Sequence, residues 1–124
     1  MNKELPETID FIFKKAIDVY FGKEDKDNAI LIIHKEFGTN INSCGMYIRI
    51  ISSMLKGERY ERSLSSTAAD NILKNFYSYE NGKFFDNSIQ SLKQYINHHE
   101  KNDGITKKKL REVLSKWSEK MTKG

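Results

Sequence analysis

Cysteine, proline and long apolar runs are all scarce in this chain. Its single cysteine, Cys44, allows no intrachain disulfide, which excludes a disulfide-framework secreted domain. Its single proline, Pro6, lies near the start, so no later proline interrupts a helix. The longest uninterrupted aliphatic run, residues 29–33, falls far short of the roughly 20 residues that span a bilayer. Residues 1–8 carry acids where a signal peptide has a basic start and an apolar run. The expectation is a soluble, cytoplasmic protein with no membrane partner. Phosphate-loop glycine patterns, nucleophile elbows and Cys-x-x-Cys pairs are also missing. The reading is therefore a non-enzymatic protein without a cofactor.

What the chain does hold is a helical pattern punctuated by glycine. Its 124 residues suffice for one domain, and 38% hydrophobic with 31% charged residues is a globular composition. Gly22, Gly38, Gly57, Gly82 and Gly104 each follow an apolar segment of helical period, where a helix C-terminus favours positive φ. The first segment carries Ile9, Ile12, Phe13, Ala16, Ile17, Tyr20 and Phe21 at three- and four-residue steps. The second runs from about Asp27 to Phe37. The third opens at Asn42 or Ser43 and carries Tyr47, Ile48, Ile51, Met54 and Leu55. The fourth opens within residues 63–67, the fifth near Asp86, and the sixth at Thr106. The fold expected is all-α, a compact single domain of five to six short amphipathic helices over residues 1–124, with residues 122–124 frayed.

Three features invite a chemical reading. His98, His99 and Glu100 suggest a metal, but adjacent helical residues diverge by about 100° and do not converge on one ion. No metal site is therefore assigned; the ordinary reading packs His99 on the inner edge and leaves His98 solvated. Cys44 near a helix start could be an activated thiol, and equally a small buried hydrophobe. Residues 56–67 combine Arg59, Tyr60, Arg62 and Ser65 just before a helix N-terminus, where free N–H groups and the dipole favour an anion. The ordinary alternative has Ser63 or Ser65 capping the helix, Glu58 and Glu61 pairing with Arg62, and Tyr60 or Leu64 filling the core.

Charge is unevenly spread. Lys and Arg number 21 against 17 Asp and Glu, a net +4, which excludes an acidic DNA mimic built on overall charge. Residues 101–124 hold eight cations and three acids, whereas the first hundred hold thirteen and fourteen. Lys107, Lys108 and Lys109 at a helix N-terminus oppose the dipole by up to about 1 kcal/mol each, a cost easily understood if they meet an anion. Lys108, Arg111 and Lys116 are expected to share one solvated side; solvated lysines alone would explain the same run.

Two stretches resemble a known family. Residues 55–65 resemble a Leu-x-Gly-x-x-Tyr-x-Arg-x-(Ile/Leu)-(Ser/Asn) pattern, carried here by Leu55, Gly57, Tyr60, Arg62, Leu64 and Ser65. Residues 87–100 resemble a helix of small and apolar residues with an aromatic- or His-rich end. Both are similar to the helical N-terminal accessory region of HNH-type restriction endonucleases, including those dependent on 5-methylcytosine. The resemblance spans about residues 28–115 and implies that Gly57, Tyr60 and Arg62 serve DNA recognition or positioning. The HNH motif itself is missing, so no nuclease activity is implied.

The leading expectation is a nucleic-acid-binding protein of a restriction, phage or mobile-element setting, with Arg59, Arg62, Ser65, Lys107, Lys108, Lys109 and Arg111 contacting phosphates. The alternative is a protein-interaction module, such as a phage- or plasmid-borne inhibitor or immunity protein, using an exposed apolar patch around Tyr47, Phe84, Phe85 and Trp117. A connection of about eight residues between the third and fourth helices is too long for a helix-turn-helix, whose turn takes about 3–4.

Overall fold

A computed structural model describes residues 5–122, with side chains as far as Met121. Helix α1 (Pro6–Tyr20) starts at Pro6, whose missing N–H is no loss in a first turn. It buries Ile9, Ile12, Phe13, Ala16 and Ile17 along one face. Helix α2 (Lys26–Phe37) is capped by the Asp25 carboxylate, which accepts from the Asn28 N–H at 3.1 Å. Helix α3 (Ile41–Lys56) and helix α4 (Ser66–Ser78) follow, then a 3-10 turn (Tyr79–Gly82), helix α5 (Phe85–Asp103) and helix α6 (Lys108–Thr122). Among the described residues there is no strand, and no helix is long and apolar enough to cross a membrane. The architecture is all-α.

Helix α3 lies at the centre. It packs against α1, α2 and α5, and α4 packs against α1, α5 and α6. Burial follows from that position: α3 buries Cys44, Tyr47, Ile48, Ile50, Ile51, Met54 and Leu55, spread over more than one face. Phe13, Phe76 and Tyr79 meet edge to face in the core, with Phe13 and Phe76 centroids 4.9 Å apart.

Several helix starts differ from the sequence expectation. Asn40, not Asn42 or Ser43, caps α3: its side chain accepts from both of their N–H groups, at 2.8 and 3.3 Å. Helix α5 starts one residue before Asp86, which sits inside the first turn rather than capping it. Helix α6 starts at Lys108, not at Thr106, and continues to Thr122. Residues 123 and 124, expected to fray, lie outside the described residues. The expected apolar patch is not on the surface. Phe85 and Trp117 are buried where α6 lays Trp117 against Phe85 and Tyr77, Tyr47 is buried on α3, and Phe84 is partly buried.

The end of α3 is fixed by α5. Gly57 takes φ 74°, which turns the chain so that the Glu58 N–H bonds the Ser53 carbonyl at 2.9 Å. Carbonyls beyond that turn are met by side chains of α5. Asn87 donates to Leu55 at 2.9 Å, Ser91 to Glu58, and Gln94 to Gly57 at 2.9 Å. Residues 87, 91 and 94 fall on one helical face, so a single stripe serves the whole turn. A Cβ on Gly57 would stand 3.3 Å from the Asn87 amide. Gly57→Ala should therefore lower stability by about 1–2 kcal/mol, from the left-handed backbone and the disturbed Asn87 bond. Urea unfolding followed by Trp117 fluorescence measures it; a variant as stable as the parent would contradict this account of the turn.

Candidate functional site

The connection between α3 and α4 carries the first site. Tyr60 and Leu64 both turn inward and are 2% and 5% exposed. The Tyr60 ring stacks on Tyr95 of α5, centroids 4.4 Å apart and planes 10° from parallel. Tyr95 in turn meets the His99 ring at 4.2 Å. The Tyr60 hydroxyl finds no hydrogen-bond partner, and burial, with Tyr95 beside it, pushes it above the ordinary phenol range. Residues 55–65 and 87–100, the two stretches that carry the family resemblance, thus pack directly on each other. Gly57 and Tyr60 make the contact, so their role in this fold is to hold the connection in place.

The arginines that flank Tyr60 do different things. Arg59 pairs with Glu61 at 3.1 Å. Arg62, expected to pair with Glu58 and Glu61, makes no ion pair among the described residues. Ser65 caps α4, its hydroxyl accepting from the Ala68 N–H at 3.1 Å. That bond leaves its oxygen turned to the helix rather than to a ligand.

Arg62 stands at the rim of a cavity of about 440 Å³ between α1, the start of α2, α3 and the connection. Ala16, Val19 and Ile48 form apolar wall, with Tyr20 beside them. Lys26, Arg49 and Lys56 join Arg62 as cations, and none of the four forms an ion pair among the described residues. The one acid in the lining is Glu61, already engaged by Arg59. The sequence reading missed Lys26, Arg49 and Lys56. A signal was present: Arg49, Ser52, Ser53 and Lys56 repeat at helical spacing, a polar stripe beside the apolar stripe of α3.

The basic C-terminal segment is divided by its contacts. Glu100 of α5 accepts the Lys107 N–H at 2.7 Å and the Arg111 Nε at 2.9 Å, with a further bond from Arg111 Nη2. Asn97 also accepts from Arg111, at 3.1 Å. The bonds from Arg111, and then the one from Lys107, hold the Glu100 carboxyl below its ordinary range. Glu100 thus serves as a cap on the N-terminus of α6 from a neighbouring helix, engaging the Lys107 backbone and the Arg111 side chain. Lys116 does not share a side with Arg111: it bonds Asp70 of α4 at 2.9 Å, and the Trp117 Nε1 donates to the same oxygen at 2.7 Å. Partial burial would raise the Asp70 carboxyl, but these bonds outweigh it and keep it low. Lys108 and Lys109 remain exposed and make no ion pair among the described residues. Lys109 and Lys116 line a shallow groove with Ser66 and Thr67 at the start of α4, together with the acids Asp70 and Glu112.

The connection therefore runs from the cationic cavity at Arg62 to the lysine-bearing groove at Ser66. Three residues lie between those ends, and the four steps from Arg62 to Ser66 span at most about 14 Å of extended chain.

The remaining candidates are mostly partnered within the fold, although the buried His99 Nε2 has no hydrogen-bond partner among the described residues. His98 and His99 rings are 83° apart in plane, His98 bonds Asn102, and no group of three metal-ligating side chains occurs among the described residues. Cys44 is fully buried, its Sγ donating to the Thr39 carbonyl at 3.7 Å. His34 Nδ1 bonds that same carbonyl at 2.8 Å. Comparison of the chain with known families, curated proteins and solved structures gives no match.

The Glu100 contacts have a pH signature. A carboxylate held below its ordinary value stabilises the fold fully above the unfolded glutamate pKa of about 4.3, and the contribution is lost as the pH falls through the lowered folded value. Glu100→Gln should lower the melting temperature at neutral pH, and the gap to the parent should close on acidification below about pH 4. Thermal scans of Trp117 fluorescence across that range check it; a gap that does not depend on pH would contradict a charged clamp.

Proposed function

We propose that the protein is a non-enzymatic binding protein whose partner is nucleic acid, engaged through phosphates along the α3–α4 connection and the start of α6. The observation that carries this reading is the set of cations left without carboxylate partners. Lys26, Arg49, Lys56 and Arg62 surround the cavity, and Lys108 and Lys109 project from α6. Cations without ion-pair partners lower the cost of bringing in a polyanion, because no internal ion pair must break first. At about 3.4 Å of rise per nucleotide, the span from Arg62 to Ser66 corresponds to at most about four nucleotides of one strand. Arg59, Lys107, Ser65 and Arg111 become supporting residues that fix the surface. The family resemblance supports DNA as the polymer, in the cytoplasm and in a restriction, phage or mobile-element setting.

A protein-interaction module, such as an inhibitor or immunity protein, is the second reading. It is supported by the exposed side chains of Tyr77 and Met121, which flank a groove over Phe85.

Fluorescence anisotropy on labelled duplex and single strands at two salt concentrations tests the main reading. Affinity should fall steeply with salt. Lys108→Ala with Lys109→Ala should flatten the log–log slope by about 1–2, since each phosphate contact contributes roughly 0.9. Arg111→Ala should lower thermal stability with a smaller effect on the slope. No binding at low salt would contradict the proposal.

A further inference from the structure

We infer that the cavity beside Arg62 is a binding site for a phosphomonoester carried on a nucleotide-sized, largely apolar or planar body. Its volume of about 440 Å³ falls in the range of small-molecule sites. A polymer lying across the surface would neutralise the rim but leave this interior empty. The rim offers Arg49 and Arg62, whose guanidinium forks fit phosphate oxygens in pairs, and Lys26 and Lys56 as point charges. Four cations exceed what one carboxylate needs and suit a phosphate dianion.

The geometry also separates head from body. Behind the rim, Ile48 and the C-terminal turns of α1 supply apolar wall, and Tyr20 supplies an aromatic side chain for a planar ring. The one acid in the lining, Glu61, is engaged by Arg59. Tyr60 contributes to the wall while its ring is pinned on Tyr95. The wall is therefore largely pre-formed, and the ordering that accompanies binding falls on the exposed cations Arg49, Lys56 and Arg62. The same chemistry has two sources, a free nucleoside monophosphate or the phosphorylated end of a strand.

Calorimetry on the full chain separates them. The probes are adenosine monophosphate, adenosine, inorganic phosphate, and a short single strand with either a phosphate or a hydroxyl at its 5′ end. Adenosine monophosphate should bind saturably, about tenfold or more tightly than adenosine or inorganic phosphate, since charge-assisted bonds and the apolar wall act together. Arg49→Gln and Arg62→Gln should each weaken it about tenfold with the melting temperature unchanged. Lys108→Ala with Lys109→Ala should leave it as it was. A preference for the phosphorylated over the hydroxyl strand end assigns the strand end as the source; equal binding of the two strands assigns the free nucleotide. Absence of saturable binding by adenosine monophosphate, with duplex binding intact, would overturn this site and leave the polymer reading standing. Binding of adenosine or inorganic phosphate as tight as that of the monophosphate would overturn it too. Monophosphate binding without any polymer binding would sustain this site and remove the polymer reading.

Discussion

The stacking of Tyr60 on Tyr95 is the contact that the candidate site depends on. The connection between α3 and α4 has no helix or strand of its own, and a free segment of that kind would lose much backbone entropy on ordering. It is ordered from outside. Tyr60 buries its ring against α5, and Asn87, Ser91 and Gln94 satisfy the carbonyls of the preceding turn. An aromatic anchor flanked by bonded carbonyls fixes both position and direction of the chain. Arg59 and Arg62 are then held on either side of an immovable residue. One engages Glu61, and the other is delivered to the cavity rim.

Electrostatics follow from the same packing. A net charge of +5 on the last 24 residues looks like a free basic surface when counted along the chain. In the fold, two carboxylates from the near-neutral part reach it. Glu100 engages Arg111 and caps the start of α6, and Asp70 engages Lys116 and the Trp117 indole. These pairs fasten α6 to α5 and to α4, so part of the excess is structural. Cations without ion-pair partners among the described residues also group around the cavity, on α3, at the start of α2 and in the connection. The proposed anion-binding surface is centred there rather than on α6 alone.

How much of this was legible in the sequence depended on the range of each interaction. The helices were readable because apolar spacing such as Ile9, Ile12, Phe13, Ala16 and Ile17 is local and periodic, and Gly38, Gly57 and Gly104 cap three of them in the left-handed region; α4 instead ends at Ser78, before Gly82. Ser65 as a cap, and both Tyr60 and Leu64 as core residues, were within reach as the ordinary alternative. Helix starts were less readable, because Asn40, Asn42 and Ser43 are all competent caps and only geometry selects Asn40. What could not be read was pairing at a distance. Nothing local tells that Glu100 returns to Lys107 and Arg111, or that Asp70 reaches Lys116 across 46 positions. The cavity was missed for the same reason: its cations come from three segments, and only the Arg49–Lys56 stripe was visible in one.

In the proposed function, the cations around the α3–α4 connection are the ones that meet an anionic partner. Amide chemical-shift mapping during titration with a short oligonucleotide tests it residue by residue. The predicted result is a contiguous set of perturbed amides around Arg49, Lys56, Arg62, Ser66 and Lys109, with the region of Arg111 and Asn97 little changed. Perturbations confined to the Arg111 side of α6, or scattered without relation to the connection, would contradict it.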